Sequence, residues 1–103
     1  MLVAVIDDGI VPEIFCTGHL CYDMVVTKHG RVLKRRISDR IVTYHGTMVA
    51  GIISKYAPVA EFCSIKIFHD GIMKATCKQL IAALEWCVKM KIPVINLSLG
   101  TTE

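Results

Sequence analysis

Residues 2–10 read LVAVIDDGI, and the fold turns on this stretch. Leu2 to Ile6 form a continuous apolar run containing two valines and an isoleucine, closed by Asp7-Asp8-Gly9. So short an apolar run, ended by a turn signal, is the pattern of a strand buried on both faces of a parallel sheet. A strand with one wet face would alternate instead. Asp7 then stands at the carboxyl end of a buried strand, where ligands and reacting groups collect in open α/β sheets.

Outward from this strand, residues 10–21 have weak periodicity and read as a loop with a helical turn. The β-rich segments YDMVVT (22–27) and RVLKRRI (31–37) flank Lys28-His29-Gly30, which predicts a hairpin with one exposed face. Thr47 to Tyr56 is helical: Met48, Ile52 and Tyr56 lie four apart, with Val49 and Ile53 beside them. Small Ala50 and Gly51 are expected to let this helix approach the sheet, and Ala57-Pro58 stops it. EFCSIKIF (61–68) alternates Phe62, Ser64 and Lys66 against Cys63, Ile65 and Ile67, a second major strand.

Asp70-Gly71 marks a turn. Thr76 and Gln79 have the spacing of a capping box ahead of a second helix. Leu80, Ala83, Leu84, Cys87 and Val88 form its apolar stripe. Pro93 ends any helical continuation, and IPVINLSL (92–99) reads as a third buried strand. The order β, hairpin, α, β, α, β implies an α/β, doubly wound, mostly parallel sheet, truncated after its third core strand. Residues 1–103 are expected to form one partial domain.

Composition points the same way. At 103 residues the chain is the size of one small domain. Yet 53% of it is hydrophobic and its mean hydropathy is +0.52, more apolar surface than so short a chain hides alone. The apolar runs are broken by charges such as Lys66 and Lys89 and fall short of the roughly 18 residues a membrane span needs. Met1 leads directly into the first strand with no basic start or cleavage site, so the expectation is either a cytoplasmic location or a chain that begins after a removed leader.

Cys16, Cys21, Cys63, Cys77 and Cys87 are odd in number and contain no CxxC pair. They read as reduced, buried thiols rather than a disulfide framework. Cys16, His19 and Cys21 lie close together, but no second pair follows at ligand spacing, so no metal or cofactor is expected. The net charge of +3 is uneven: Lys28, Arg31, Lys34, Arg35, Arg36 and Arg40 crowd one stretch opposed only by Asp39. A nucleic-acid patch and a solvated hairpin both fit this run. The hairpin is favoured because no aromatic is interleaved for base stacking.

Two residues carry the chemistry. A carboxylate at the end of an apolar strand needs a partner; Asp7 is a helix cap or turn residue, an orienting acid or a metal ligand. His45, followed by Gly46-Thr47, begins a helix, whose dipole disfavours the imidazolium. A carboxylate beside it would stabilise the charged ring once a proton has been accepted.

VAVIDDGI (3–10) resembles the aspartate motif of the subtilases. HGTMVAGII (45–53), followed by Ala57-Pro58 and SIKIF (64–68), resembles their histidine motif and the strand after it. VINLSLG (94–100), preceded by Glu85-Trp86, resembles their substrate-binding strand. The three motifs occur in the family's order and cover nearly the whole chain. The resemblance implies a serine-type endopeptidase acting on peptides or proteins through a Ser-His-Asp triad, a hydrolase with no cofactor. Asp7 matches the triad acid and His45 the general base. Ser98, Leu99 and Gly100 match the segment that pairs with an extended substrate backbone. Relatives of this kind are often secreted with a leader and propeptide.

Three departures stand out. Asp8 occupies a position that is often Thr or Ser in the family, although an aspartate also occurs there. Met48 stands where a second histidine is usual, and a change of packing only is expected there. The nucleophile motif, Gly-Thr-Ser followed by small or apolar residues, is absent: the serines are Ser38, Ser54, Ser64 and Ser98, and none follows Gly-Thr. An acid–base pair without a nucleophile has nothing to activate. The 103 residues alone are therefore expected to be inactive. A non-catalytic peptide-binding pseudoprotease and half of a split peptidase, partnered by a chain carrying the serine, are the alternatives. A receiver-like signalling domain also begins with a strand and paired acids, but it requires a further aspartate that residues 50–57 lack. No nucleic-acid or membrane partner is expected.

Overall fold

The computed structural model describes residues 1–14, 19–69 and 72–98. Its elements are β1 (Leu2–Asp7), β2 (Leu20–Val26), β3 (Val32–Lys34), α1 (His45–Tyr56), β4 (Glu61–Lys66), α2 (Cys77–Lys89) and β5 (Val94–Leu97). One sheet runs in the order β3-β2-β4-β1-β5. Strand β1 lies between β4 and β5 and is parallel to both, and β2 is parallel to β4; β3 alone runs antiparallel, paired with β2. The expected hairpin is therefore the margin of the main sheet rather than an excursion from it.

The central position of β1 explains its unbroken apolar run. Successive side chains of a strand point to opposite faces. Val3 and Val5 enter one core with Ile10, Ala50 and Phe62; Ala4 and Ile6 enter the other with Ile65, Ala83 and Cys87. Helix α1 covers the first face and α2 the second, the doubly wound arrangement read from the element order. The same alternation sends Phe62, Ser64 and Lys66 of β4 toward α1, and Cys63 and Ile65 toward α2.

Helix α2 begins as its sequence predicts. Gln79 N–H donates to Thr76 Oγ1 at 3.1 Å, and Thr76 N–H donates back to Gln79 Oε1 at 2.9 Å, a complete capping box. Ala83 and Cys87 are buried, whereas Val88 at the end of the expected stripe is 74% exposed.

Helix α1 departs from the expected packing. Its buried residues are Gly46, Thr47 and Ala50, and Val49 and Ile53 are half-buried. Met48, Ile52 and Tyr56 form the outward row, with Met48 64% and Tyr56 80% exposed. Met48 is thus not a packing position. Apolar residues occur all around this helix, so their spacing did not specify its inner face. The glycine that permits close approach is also not Gly51, where an added Cβ has nothing within 4 Å. It is Gly46, where a Cβ would lie 2.6 Å from the Gly9 carbonyl oxygen and 3.1 Å from Asp7 Cβ.

Part of the basic stretch is tied down, through Arg35 and Arg36. The Arg35 guanidinium pairs with Asp23 through Nε at 2.9 Å and 3.0 Å and donates through Nη1 to the Asp39 carbonyl at 3.0 Å. Asp23 is therefore a second opposing charge, brought in from the neighbouring strand. Among the described residues no helix is long and apolar enough to cross a membrane.

The two glycines of α1 give opposed expectations. Gly51→Ala should stabilise the fold by about 0.5–1 kcal/mol, the usual gain for alanine in an open helix position. Gly46→Ala should instead cost about 1–3 kcal/mol, because its Cβ meets backbone that cannot swing aside. Urea unfolding of the two variants measures the contrast.

The described cysteines also divide. Cys63 and Cys87 are buried and free, and burial pushes the Cys63 thiol far up and the Cys87 thiol up to about 11. Cys21 and Cys77 are exposed. Iodoacetamide at mildly alkaline pH should label Cys21 and Cys77 in the folded protein, and Cys63 and Cys87 only after denaturation, as peptide mass mapping would show.

Candidate active site

By strand alternation Asp7, like Val3 and Val5, faces α1. It is fully buried, so its carboxylate must be met by donors. Oδ1 accepts from Asp8 N–H at 2.8 Å, and Oδ2 lies 2.8 Å from His45 Nδ1. An ionised carboxylate can only accept, so with Asp7 charged the hydrogen sits on Nδ1 and Nε2 is left with its lone pair. Among the described residues nothing hydrogen-bonds Nε2, and the His45 side chain is 53% exposed. A buried acid therefore fixes one edge of the ring while the other faces outward.

Burial raises the Asp7 carboxyl above its ordinary value, and the charge of Asp8 adds to this. The bonds from His45 and Asp8 N–H act in the opposite direction.

The segment His45-Gly46-Thr47 is held residue by residue. His45 reaches Asp7 through its ring. Gly46 packs against the Gly9 carbonyl and donates its N–H to Asp8 Oδ1 at 2.7 Å. The Thr47 hydroxyl accepts from Val11 N–H at 3.0 Å. Gly9 itself adopts φ +106°, a left-handed conformation that a side chain resists, and so turns the chain sharply after the two acids.

Behind the pair, the Lys66 ammonium lies buried opposite Asp7 in the β1–β4 register and donates to the carbonyl oxygens of Phe68 and Asp8. Ser64 is also committed, its Oγ accepting from Ile10 N–H at 3.1 Å. Among the described residues no buried side-chain polar atom lacks a partner. No group of three or more His, Cys, Asp or Glu residues among them is arranged to hold a metal.

Asp7 and His45, read separately in the sequence, are brought together. Ser98 directly follows β5, whose last residue, Leu97, is paired with Ile6, the residue before Asp7. Ser98 thus leaves the sheet at the same end as the acid. Leu99 and Gly100 lie outside the described residues, as does Cys16. The parts played by Asp8, Gly46, Thr47 and Lys66 were not legible in the residue pattern. Only the surplus of polar groups around one apolar strand end could have drawn attention to them.

The family model described as the subtilase family, Peptidase_S8, matches residues 1–103. The chain belongs to the subtilase family. Its subtilase relatives include the subtilisin-like protease het-Q2 of Podospora anserina, 35% identical over 54% of this chain. They also include the minor extracellular protease Epr of Bacillus subtilis (strain 168), 27% identical over 98% of it. Each match covers 16% of the relative's own length. No solved structure matches the chain. The mostly parallel sheet flanked by two helices is the architecture expected of the N-terminal part of a subtilase.

Because folding raises the Asp7 carboxyl, the folded state holds that proton more tightly than the unfolded chain. The associated stability is complete at acid pH, below the unfolded value, and is lost as pH rises through the folded one. Asp7→Asn removes this penalty and can keep both hydrogen bonds, its oxygen accepting from Asp8 N–H and its amide donating to Nδ1. Thermal melts should show the variant at least as stable as wild type at neutral pH, with its advantage shrinking toward about pH 4. The histidine tautomer should invert, with the hydrogen moved to Nε2.

Proposed function

We propose that this chain supplies the acid and the base of a serine endopeptidase whose nucleophile lies in a segment outside these 103 residues. The supporting observation is the 2.8 Å approach of His45 Nδ1 to the buried Asp7 carboxylate, with the rest of the ring half-exposed. His45 Nε2 takes the proton of an incoming serine hydroxyl as that oxygen attacks the scissile carbonyl, and then delivers it to the leaving amine. Asp7 holds the ring in the reactive tautomer and stabilises the imidazolium between those steps, remaining ionised throughout.

The described serines support the division. Ser64 is buried and bound to Ile10 N–H, and Ser38, Ser54, Ser64 and Ser98 all lack the Gly-Thr that precedes the nucleophile in the family pattern. Strand β5 is an edge strand, and Val94, Ile95 and Leu97 are exposed along it. A further strand of the same enzyme would pair there, and the segment Ser98-Leu99-Gly100 that continues from it would hold an extended peptide. Peptides or proteins are the proposed substrates, with no cofactor required.

Hydrolysis of a fluorogenic peptide tests this division. The 103 residues alone should give no turnover above background. Joined to, or mixed with, a polypeptide carrying the Gly-Thr-Ser segment, they should give turnover that falls by about 10⁴-fold or more in His45→Ala and Asp7→Asn. Activity of the joined form that ignores both substitutions would sink the proposal. So would turnover by the chain alone that His45→Ala abolishes.

A further inference from the structure

We propose that Asp8 is a positioning residue, whose carboxylate holds the first turn of α1 so that the His45 ring meets Asp7. The inference rests on the proposed role of His45 and deepens it. Helix α1 starts without a cap of its own: Tyr44 is at the N-cap position and makes no side-chain bond to the helix. The orphan N–H groups of a first turn need acceptors, and a side-chain oxygen from the N-cap residue is the usual source. Here the acceptor arrives from a different element. Asp8 Oδ1 accepts from Gly46 N–H at 2.7 Å, and Oδ2 accepts from His45 N–H at 3.1 Å and from the Thr43 hydroxyl.

Every polar group of Asp8 is committed. Its N–H donates to Asp7 Oδ1 at 2.8 Å, its carbonyl accepts from Lys66, and its carboxylate takes the three donors around His45. One residue thus grips both members of the pair, the acid through its backbone N–H and the base through its carboxylate. The charge also suits the place, since a carboxylate at a helix N-terminus is favoured by the helix dipole. At 2% exposure Asp8 has no oxygen left over for a substrate, which makes it a part of the frame and not a reacting group. A single hydroxyl oxygen, the serine or threonine common at this place in the family, does not offer the two separate acceptors that these three donors occupy.

The test reads the histidine ring and so does not require the nucleophile. In protein labelled with ¹⁵N-histidine, wild type should show a low-field Nδ1 proton from the bond to Asp7, and slow exchange of the His45 and Gly46 amides. Asp8→Ala should lose the low-field resonance and speed exchange of those amides about tenfold. Asp8→Asn keeps an oxygen for Gly46 N–H and should retain the resonance, with intermediate exchange. Ile65→Val, which loosens the opposite core, should leave the ring unchanged even though it lowers stability.

Persistence of both the resonance and the protection in Asp8→Ala overturns the role of Asp8 while leaving the acid–base pair intact. Absence of the resonance in wild type removes the pair itself, and the role of Asp8 with it. If Asp8→Ala does not fold, the wild-type amides decide. Protection of His45 and Gly46 supports the clamp, and exchange as fast as that of an uncapped helix start refutes it.

Discussion

Two adjacent carboxylates are taken out of water at the end of β1, and the surrounding structure is arranged to supply them with donors. Neither can be buried unpaired without a large penalty. The donors come from the start of α1: the His45 ring for Asp7, and two backbone N–H groups with the Thr43 hydroxyl for Asp8. Burial and satisfaction together leave few ways to seat the helix. The geometry needed to orient an imidazole follows from the same constraint that keeps the strand end from being prohibitively costly.

That seating depends on small residues as much as on charged ones. Gly46 lets the helix backbone reach the Gly9 carbonyl, and the left-handed Gly9 turns the chain away so that the helix can enter. The Thr47 tie to Val11 then secures the loop that follows. On the opposite face the sheet rests on a conventional core of Ala4, Ile6, Ile65, Ala83 and Cys87 beneath α2. One face thus builds the site, and the other anchors the sheet that carries it.

The apolar excess of the composition has a definite place in the molecule. Met48, Ile52 and Tyr56 are exposed on α1, Ile81 and Val88 on α2, and Val94, Ile95 and Leu97 along β5. Surfaces like these are unusual on a small soluble protein that stands alone. They accord with matches that cover only 16% of the length of each of the two subtilase relatives.

The lettering of the chain was enough for the order of elements, because unbroken apolar runs, turn residues and a capping box are local signals that survive in one dimension. It was also enough to single out Asp7 and His45, since three motifs in family order carried them. It was not enough for the inner face of α1, where apolar residues occur on every side and only the position of the sheet decides which are covered. Nor did it show that Asp8 would cap a helix lying 37 residues further on, the separation of its bond to His45 N–H. A hydrogen bond across that separation leaves no periodicity to read. It exists only once the sheet has placed the strand end beneath the helix start, and so the tertiary structure alone decided which groups would satisfy the two buried acids.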